Sequence, residues 1–132
     1  MTLSLEEALH NAGLPAERKE DGHWEKRFFF GEDFLGFAGH FPGHPVLPAM
    51  TQLTMVRLLL QEAIGSQEAS CSVDALNVAS AKYMRPILPG QPLVVCLRTG
   101  TSGRLLAEIH VLDEEGSHLA SSMQISPVSF GE

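Results

Sequence analysis

Residues 49–64 constrain the fold of this chain more than any other stretch: a helix-length run without Gly or Pro, stopped by Gly65. Ala49, Leu53, Val56, Leu60 and Ala63 recur at helical spacing and form a wide apolar face. Met55, Leu58 and Leu59 carry the apolar character around much of the rest, and Thr54, Arg57 and Gln61 leave only a narrow polar stripe. A helix apolar over most of its circumference must be enclosed rather than laid on a surface. No apolar run reaches the ~18 residues needed to cross a bilayer, so the enclosure has to come from the protein itself.

The second half of the chain supplies strands for that purpose. Residues 76–84 and 93–99 read as strands, separated by a break at Pro86, Pro89 and Gly90, where the prolines offer no donor to a sheet. Residues 99–103 read as a hairpin connection. Leu105, Ala107, Ile109 and Val111 then alternate with Arg104, Glu108 and His110, a period of two. After a turn at residues 114–117, Leu119, Ser121, Met123 and Ile125 alternate with His118, Ser122 and Gln124.

Upstream, Ser4 and Glu7 fit a capping box for a short helix whose apolar face is Leu5, Ala8, Leu9 and Ala12, ended by Gly13. Residues 16–23 read as a loop, and residues 24–30 as an aromatic strand whose alternation Lys26 and Arg27 interrupt. Residues 32–48, dense in Gly, Pro and Phe, read as an ordered, packed loop. Phe28, Phe29, Phe30, Phe34, Phe37 and Phe41 are expected in the core or along the wall of a binding tunnel. The expected architecture is one α+β domain over residues 1–132, its antiparallel sheet curled around one central helix. Such a sheet leaves an edge strand, and edge-to-edge pairing of two subunits is one way to cover it.

Charge and cysteine content narrow the function. A net charge of -7 offers no basic surplus to neutralise phosphates, which argues against nucleic acid as partner. Residues 1–14 carry acids and no apolar signal core, so a cytoplasmic location is expected. Cys71 and Cys96 lack metal-type spacing and read as small buried apolar residues. His40 and His44 share an H-x3-H spacing, but Pro42 and Gly43 keep them off a helix and no third ligand is evident, so no metal is expected. His10, His23, His110 and His118 read as surface residues.

The segment entering the central helix is Gly39-His40-Phe41-Pro42-Gly43-His44-Pro45-Val46-Leu47-Pro48. A histidine here has an independent chemical rationale: its ordinary pKa of about 6.5 lets it accept and return a proton near neutrality. The segment resembles the active-site signature of the beta-hydroxyacyl-acyl-carrier-protein dehydratases, which leads into the central helix of the hotdog fold. Residues 82–90, Lys-Tyr-Met-Arg-Pro-Ile-Leu-Pro-Gly, are similar to that family's strand ending in a Pro-Gly-Asp turn, with Gln91 in place of the Asp.

The resemblance implies a hotdog dimer with joined sheets and an acyl thioester, carried by acyl carrier protein or coenzyme A, bound between subunits. It implies His40 as the base that removes the C2 proton of a (3R)-hydroxyacyl thioester. Phe41, Gly43, Ala49, Met50 and Thr54 are the matching substrate-binding candidates, with backbone N–H groups of Ala49 and Met50 facing the thioester oxygen. No cofactor is called for. Lys82 and Arg85 are candidates for meeting an acidic carrier protein.

The chain also departs from the pattern. Thr54 stands where the family places a carboxylate on the helix, Leu58 where it often has Gln, and Pro48-Ala49 replaces Pro-Gly. Glu62 lies eight residues beyond Thr54, roughly 12 Å along the axis, and cannot take over. The expected activity is therefore a dehydratase-like lyase of fatty-acid, lipid or polyene assembly. The alternatives are a weakly active or non-catalytic partner in a heterodimer, an acyl-thioester-binding protein and, less favoured, a thioesterase.

Overall fold

The computed structural model describes residues 4–34, 46–65, 76–100 and 103–127. Two helices and six strands follow in the order α1 (Leu5–Ala12), β1 (Glu17–Arg18), β2 (Trp24–Phe29), α2 (Ala49–Gly65), β3 (Leu76–Tyr83), β4 (Pro92–Thr99), β5 (Leu105–Asp113) and β6 (Gly116–Pro127). The strands form one antiparallel sheet in the order β1-β2-β4-β5-β6-β3. The loop expected at residues 16–23 contains β1, which adds a two-residue rung to β2. Met84 lies just past the end of β3.

The sheet encloses α2. Met55, Val56, Leu58, Leu59 and Leu60 are buried, and they share one core with Phe28 and Phe30 from the β2 region, Leu93, Val95 and Leu97 of β4, Ala107, Ile109 and Val111 of β5, and Met123 and Ile125 of β6. Thr54, Arg57 and Gln61 are half-buried, as the narrow polar stripe requires. This is the hotdog arrangement expected of the sequence. At the entrance to the helix, the Leu47 N–H donates to the Ile87 carbonyl at 2.8 Å, and the Gly90 N–H donates to the Phe30 carbonyl at 2.8 Å. The proline-rich break after β3 is thereby tied to both ends of the 32–48 loop, most of which (residues 35–45) lies outside the described residues.

The capping box of α1 is formed: Ser4 Oγ accepts from the Glu7 N–H at 3.1 Å, and the Glu7 carboxylate accepts from the Ser4 N–H at 3.0 Å. Gly13 ends this helix for a steric reason. A Cβ there would stand 2.9 Å from Phe28 Cε2 and 3.0 Å from Lys26 Cε, too close for any side chain without displacement.

Three features of the strands differ from the pattern expected. Lys26 does not interrupt β2: it points inward in phase with Phe28 and Phe30, and its side chain is only 5% exposed. Its ammonium lies 2.5 Å from Glu62 of α2 and donates to the Leu14 carbonyl at 2.8 Å, while the other Glu62 oxygen accepts from the Ala16 N–H at 3.0 Å. Phe29, expected in the core or tunnel wall, is 54% exposed because it takes the outer phase of the same strand. In β6 the alternation changes phase. His110 pairs with Leu119 and Ile109 with Ser121, so Ala120 is an extra residue, a β-bulge. Ala120 and Ser121 are both buried and Leu119, expected inside, is exposed.

Three of the four histidines read as surface residues are half-buried and paired with acids: His23 with Asp21 and Glu25, His110 with Glu108, and His118 with Asp113. His10 is exposed. The hydrogen bonds to Glu25 and Asp21 raise the His23 pKa above its ordinary value. Cys96 is buried, and burial pushes its thiol pKa up, as befits a packing residue; Cys71 lies outside the described residues.

The Lys26–Glu62 pair makes a testable link between sheet and helix. Lys26 is buried but Glu62 is a third exposed, so solvent screens the charge that Lys26→Met leaves behind, and the variant is expected to cost about 1–2 kcal/mol in urea unfolding. Adding Glu62→Gln, which keeps an acceptor for the Ala16 N–H, is expected to recover more than half of that loss.

Candidate functional site

The entry of α2 opens on a cleft. Pro48 precedes the helix and its carbonyl takes the first helical hydrogen bond, from the Gln52 N–H at 3.1 Å. The N–H groups of Ala49, Met50 and Thr51 therefore have no acceptor within the helix, and the helix dipole adds partial positive charge at the same end. Beside them lies a cleft of about 320 Å³, bounded by Val46–Ala49 and Gln52 on one side and Tyr83–Pro86 on the other.

Both walls are held by backbone hydrogen bonds. The Leu47–Ile87 bond fixes the helix entrance against the segment after β3. The opposite wall depends on the β6 bulge, whose Ala120 carbonyl accepts from both the Met84 N–H at 2.8 Å and the Arg85 N–H at 3.2 Å. The lining is largely apolar, with Gln52, Tyr83 and Arg85 as its polar side chains. Burial raises the Tyr83 pKa, which keeps its phenol protonated over the neutral range. Gln91, standing at the family's Asp position, closes the turn after β3 by accepting from the Leu88 N–H at 2.8 Å.

The sequence-predicted residues distribute unevenly around this site. Ala49 lines the cleft. Met50 is 72% exposed, and Thr54 lies on the same outer stripe, one turn further along the helix. The Thr54 hydroxyl donates to the Met50 carbonyl at 3.0 Å, so its proton is already engaged by the backbone. Arg57, next along that stripe, is paired with Glu6 of α1 at 2.5 Å. Glu62 is committed to Lys26 and the Ala16 N–H, as its distance from Thr54 suggested. His40, Phe41 and Gly43 lie outside the described residues, as does His44.

Sequence reasoning missed Gln52. It follows Pro48 by four residues, on the side of the helix away from the Thr54, Arg57 and Gln61 stripe, and it is 4% exposed while lining the cleft. Its Nε2 donates to the Leu47 carbonyl at 3.2 Å, and its Oε1 has no hydrogen-bond partner among the described residues. A polar residue in the buried phase of the helix was the available signal.

Among the described residues, Asp113, Glu115 and His118 bring potential metal-ligating atoms within 4.8 Å of one another. They sit at the exposed β5–β6 turn, where Asp113 already binds His118 and the Glu115 N–H. No helix among the described residues is long and apolar enough to cross a membrane.

Comparison with known proteins agrees with this fold. A family model described as ApeI-like, ApeI dehydratase, matches residues 16–122. The chain is 34% identical over 98 residues to the 3-hydroxyacyl-[acyl-carrier-protein] dehydratase FabZ of Anaplasma phagocytophilum (strain HZ), covering 67% of this chain and 66% of that protein. It is 39% identical over 61 residues to FabZ of Acidiphilium cryptum (strain JF-5), covering 43% of this chain and 37% of that protein. The chain thus spans less than two thirds of the length of these curated relatives.

Two solved structures share the fold. One is the dehydratase heterocomplex ApeI:P from Xenorhabdus doucetiae, with TM-score 0.69 and 20% identity over 88% of this chain and 96% of that one. The other is the dehydratase domain of RzxB from Pseudomonas fluorescens, with TM-score 0.72 and 19% identity over 98% of this chain and 46% of that one. With a match that runs from the start of the sheet into its last strand, the chain belongs to the ApeI-like dehydratase family.

Proposed function

We propose that this chain is a dehydratase of (3R)-3-hydroxyacyl thioesters, with His40 as the base. The thioester carbonyl sits at the start of α2, where the N–H groups of Ala49 and Met50 stabilise the enolate oxygen as it gains charge. His40 takes the C2 proton, the C2–C3 double bond forms as the C3–O bond breaks, and the proton held on His40 passes to the departing hydroxyl so that water leaves. Phe41 and Gly43, named by the motif, are assigned to substrate binding with it. The observation that carries this reading is the convergence of the motif and the cleft: the segment after Gly39-His40-Phe41-Pro42-Gly43 becomes the wall of an apolar cleft at a helix N-terminus. The family membership supports the same chemistry.

The donor for the leaving hydroxyl is the step least well supplied. Thr54 stands at the position of the family's carboxylate, and its hydroxyl is held by the Met50 carbonyl. A general acid contributes about 10²- to 10⁴-fold, so turnover is expected to be slow. The same observation favours a second reading, a partner subunit of a heterodimer whose other member brings the acid. A relative in fold is named as a heterocomplex, ApeI:P, which makes that reading concrete.

The sheet edge beside the cleft supports pairing with a second subunit. β3 pairs with β6 on one side, and among the described residues nothing pairs with its other side; both its faces are exposed, including Val78 and Tyr83. We assign that edge to a second copy of this chain, sheet joined to sheet, or to a related hotdog chain. Lys82 and Arg85 are exposed next to the cleft, suitably placed to steer an acidic carrier protein bearing the thioester.

Two experiments test these assignments. His40→Ala is expected to lower 2-enoyl formation at least about 100-fold with the fold intact; an unchanged rate removes His40 from the mechanism. In that assay Thr54→Glu is expected to raise the rate, because it restores an acid at the family position. Val78→Glu combined with Tyr83→Glu places like charges on an edge paired antiparallel with its own copy, and sedimentation is expected to show monomers. A dimer that survives both substitutions places the interface elsewhere.

A further inference from the structure

Gln52 is a buried polar group with half its hydrogen-bonding capacity unused. Its orientation is determined by chemistry: only the NH₂ can donate to the Leu47 carbonyl, so the free atom is the carbonyl oxygen Oε1. The residue is 4% exposed, yet it borders the cleft at the head of α2. A buried acceptor without a partner is costly, and the next positions on the same helix face, Met55 and Val56, are apolar core residues. No described residue donates to this oxygen, which is itself closed to solvent.

We propose that Gln52 Oε1 binds a hydrogen-bond donor of the substrate and selects ligands that carry one. The inference rests on the reading that the cleft receives an acyl thioester. The thioester group has acceptors only, so the donor is an O–H or N–H elsewhere on the molecule. The pantetheine arm carries further amide and hydroxyl donors, but the two donors nearest the thioester are the 3-hydroxyl of the acyl chain and the amide nearest the sulfur, and Gln52 Oε1 is assigned to one of these two. The 3-hydroxyl has a functional consequence, since the enoyl product has lost that donor and would leave Oε1 unpaired again. Gln52 would then hold substrate more tightly than product without taking part in proton transfer.

The test measures dissociation constants with ligands that cannot react. A 2,2-dimethyl-3-hydroxyacyl pantetheine thioester has no C2 proton to lose. It is compared with its 3-deoxy counterpart, and each is also made with the pantetheine amide nearest the sulfur replaced by an ester. The parent chain is expected to prefer the donor-bearing ligand at least about fivefold in one of the two comparisons. Gln52→Met is expected to reduce that preference to less than about twofold while leaving the affinity of the donor-free ligand within about twofold.

Loss of the hydroxyl preference identifies the acyl hydroxyl as the source, and loss of the amide preference identifies the pantetheine arm. Equal binding of all four ligands by the parent chain overturns the proposal without recourse to any variant. A preference that persists in a folded Gln52→Met protein overturns it as well. Failure of the parent chain to bind any of the four overturns the thioester reading itself, a result distinct from binding without discrimination.

Discussion

The need to enclose α2 is the constraint on which the rest of the structure depends. Met55, Val56, Leu58, Leu59 and Leu60 are buried around most of its circumference, so they need a curved sheet rather than a flat layer. The order β1-β2-β4-β5-β6-β3 provides one, with inner faces from four of its strands meeting the helix in a single core. Burial of so many large side chains, at roughly 1.5–3 kcal/mol each, is the main force holding helix to sheet. The Lys26–Glu62 pair adds direction, since it ties β2 to the far half of α2 while the helix entrance is pinned by the Leu47–Ile87 bond.

Chemistry follows from how that helix begins. An enclosed helix brings its unpaired N–H groups into a partly apolar setting, where a dipole and hydrogen-bond donors act more strongly than in water. The walls beside it come from distant parts of the chain. One follows the histidine motif, and the other is held by the Ala120 carbonyl at the bulge in β6. The bulge therefore serves the site as well as the sheet: without the extra residue, neither the phase of β6 nor the position of Met84 and Arg85 would be the same.

Much of this was legible in the sequence because it follows from periodicity. The central helix, β5 and the capping box rest on local patterns that the fold respects, and the family motif marked the helix entrance. What the sequence concealed was nonlocal. Ala120 shifts the phase of β6 only because β5 has no matching extra residue, a fact of pairing rather than of composition. Lys26 looked like a break in an aromatic strand, since its partner Glu62 is thirty-six residues away. Gln52 and Thr54 are both polar residues on one helix, two positions and thus roughly 200° apart. Only the surrounding sheet distinguishes the one that borders the cleft from the one on the outer stripe. The placement of His40, Phe41 and Gly43 lies outside the described residues, so their roles rest on the motif and the family.

We propose that this helix entrance supports elimination of water from a hydroxyacyl thioester. The most direct test supplies the purified chain with a (3R)-3-hydroxyacyl pantetheine thioester and follows the 2-enoyl product and free thiol together. The expected result is slow accumulation of 2-enoyl thioester with no release of thiol. Thiol release would mean hydrolysis, and the absence of either product would mean that this chain alone is not the catalyst; both results would contradict it.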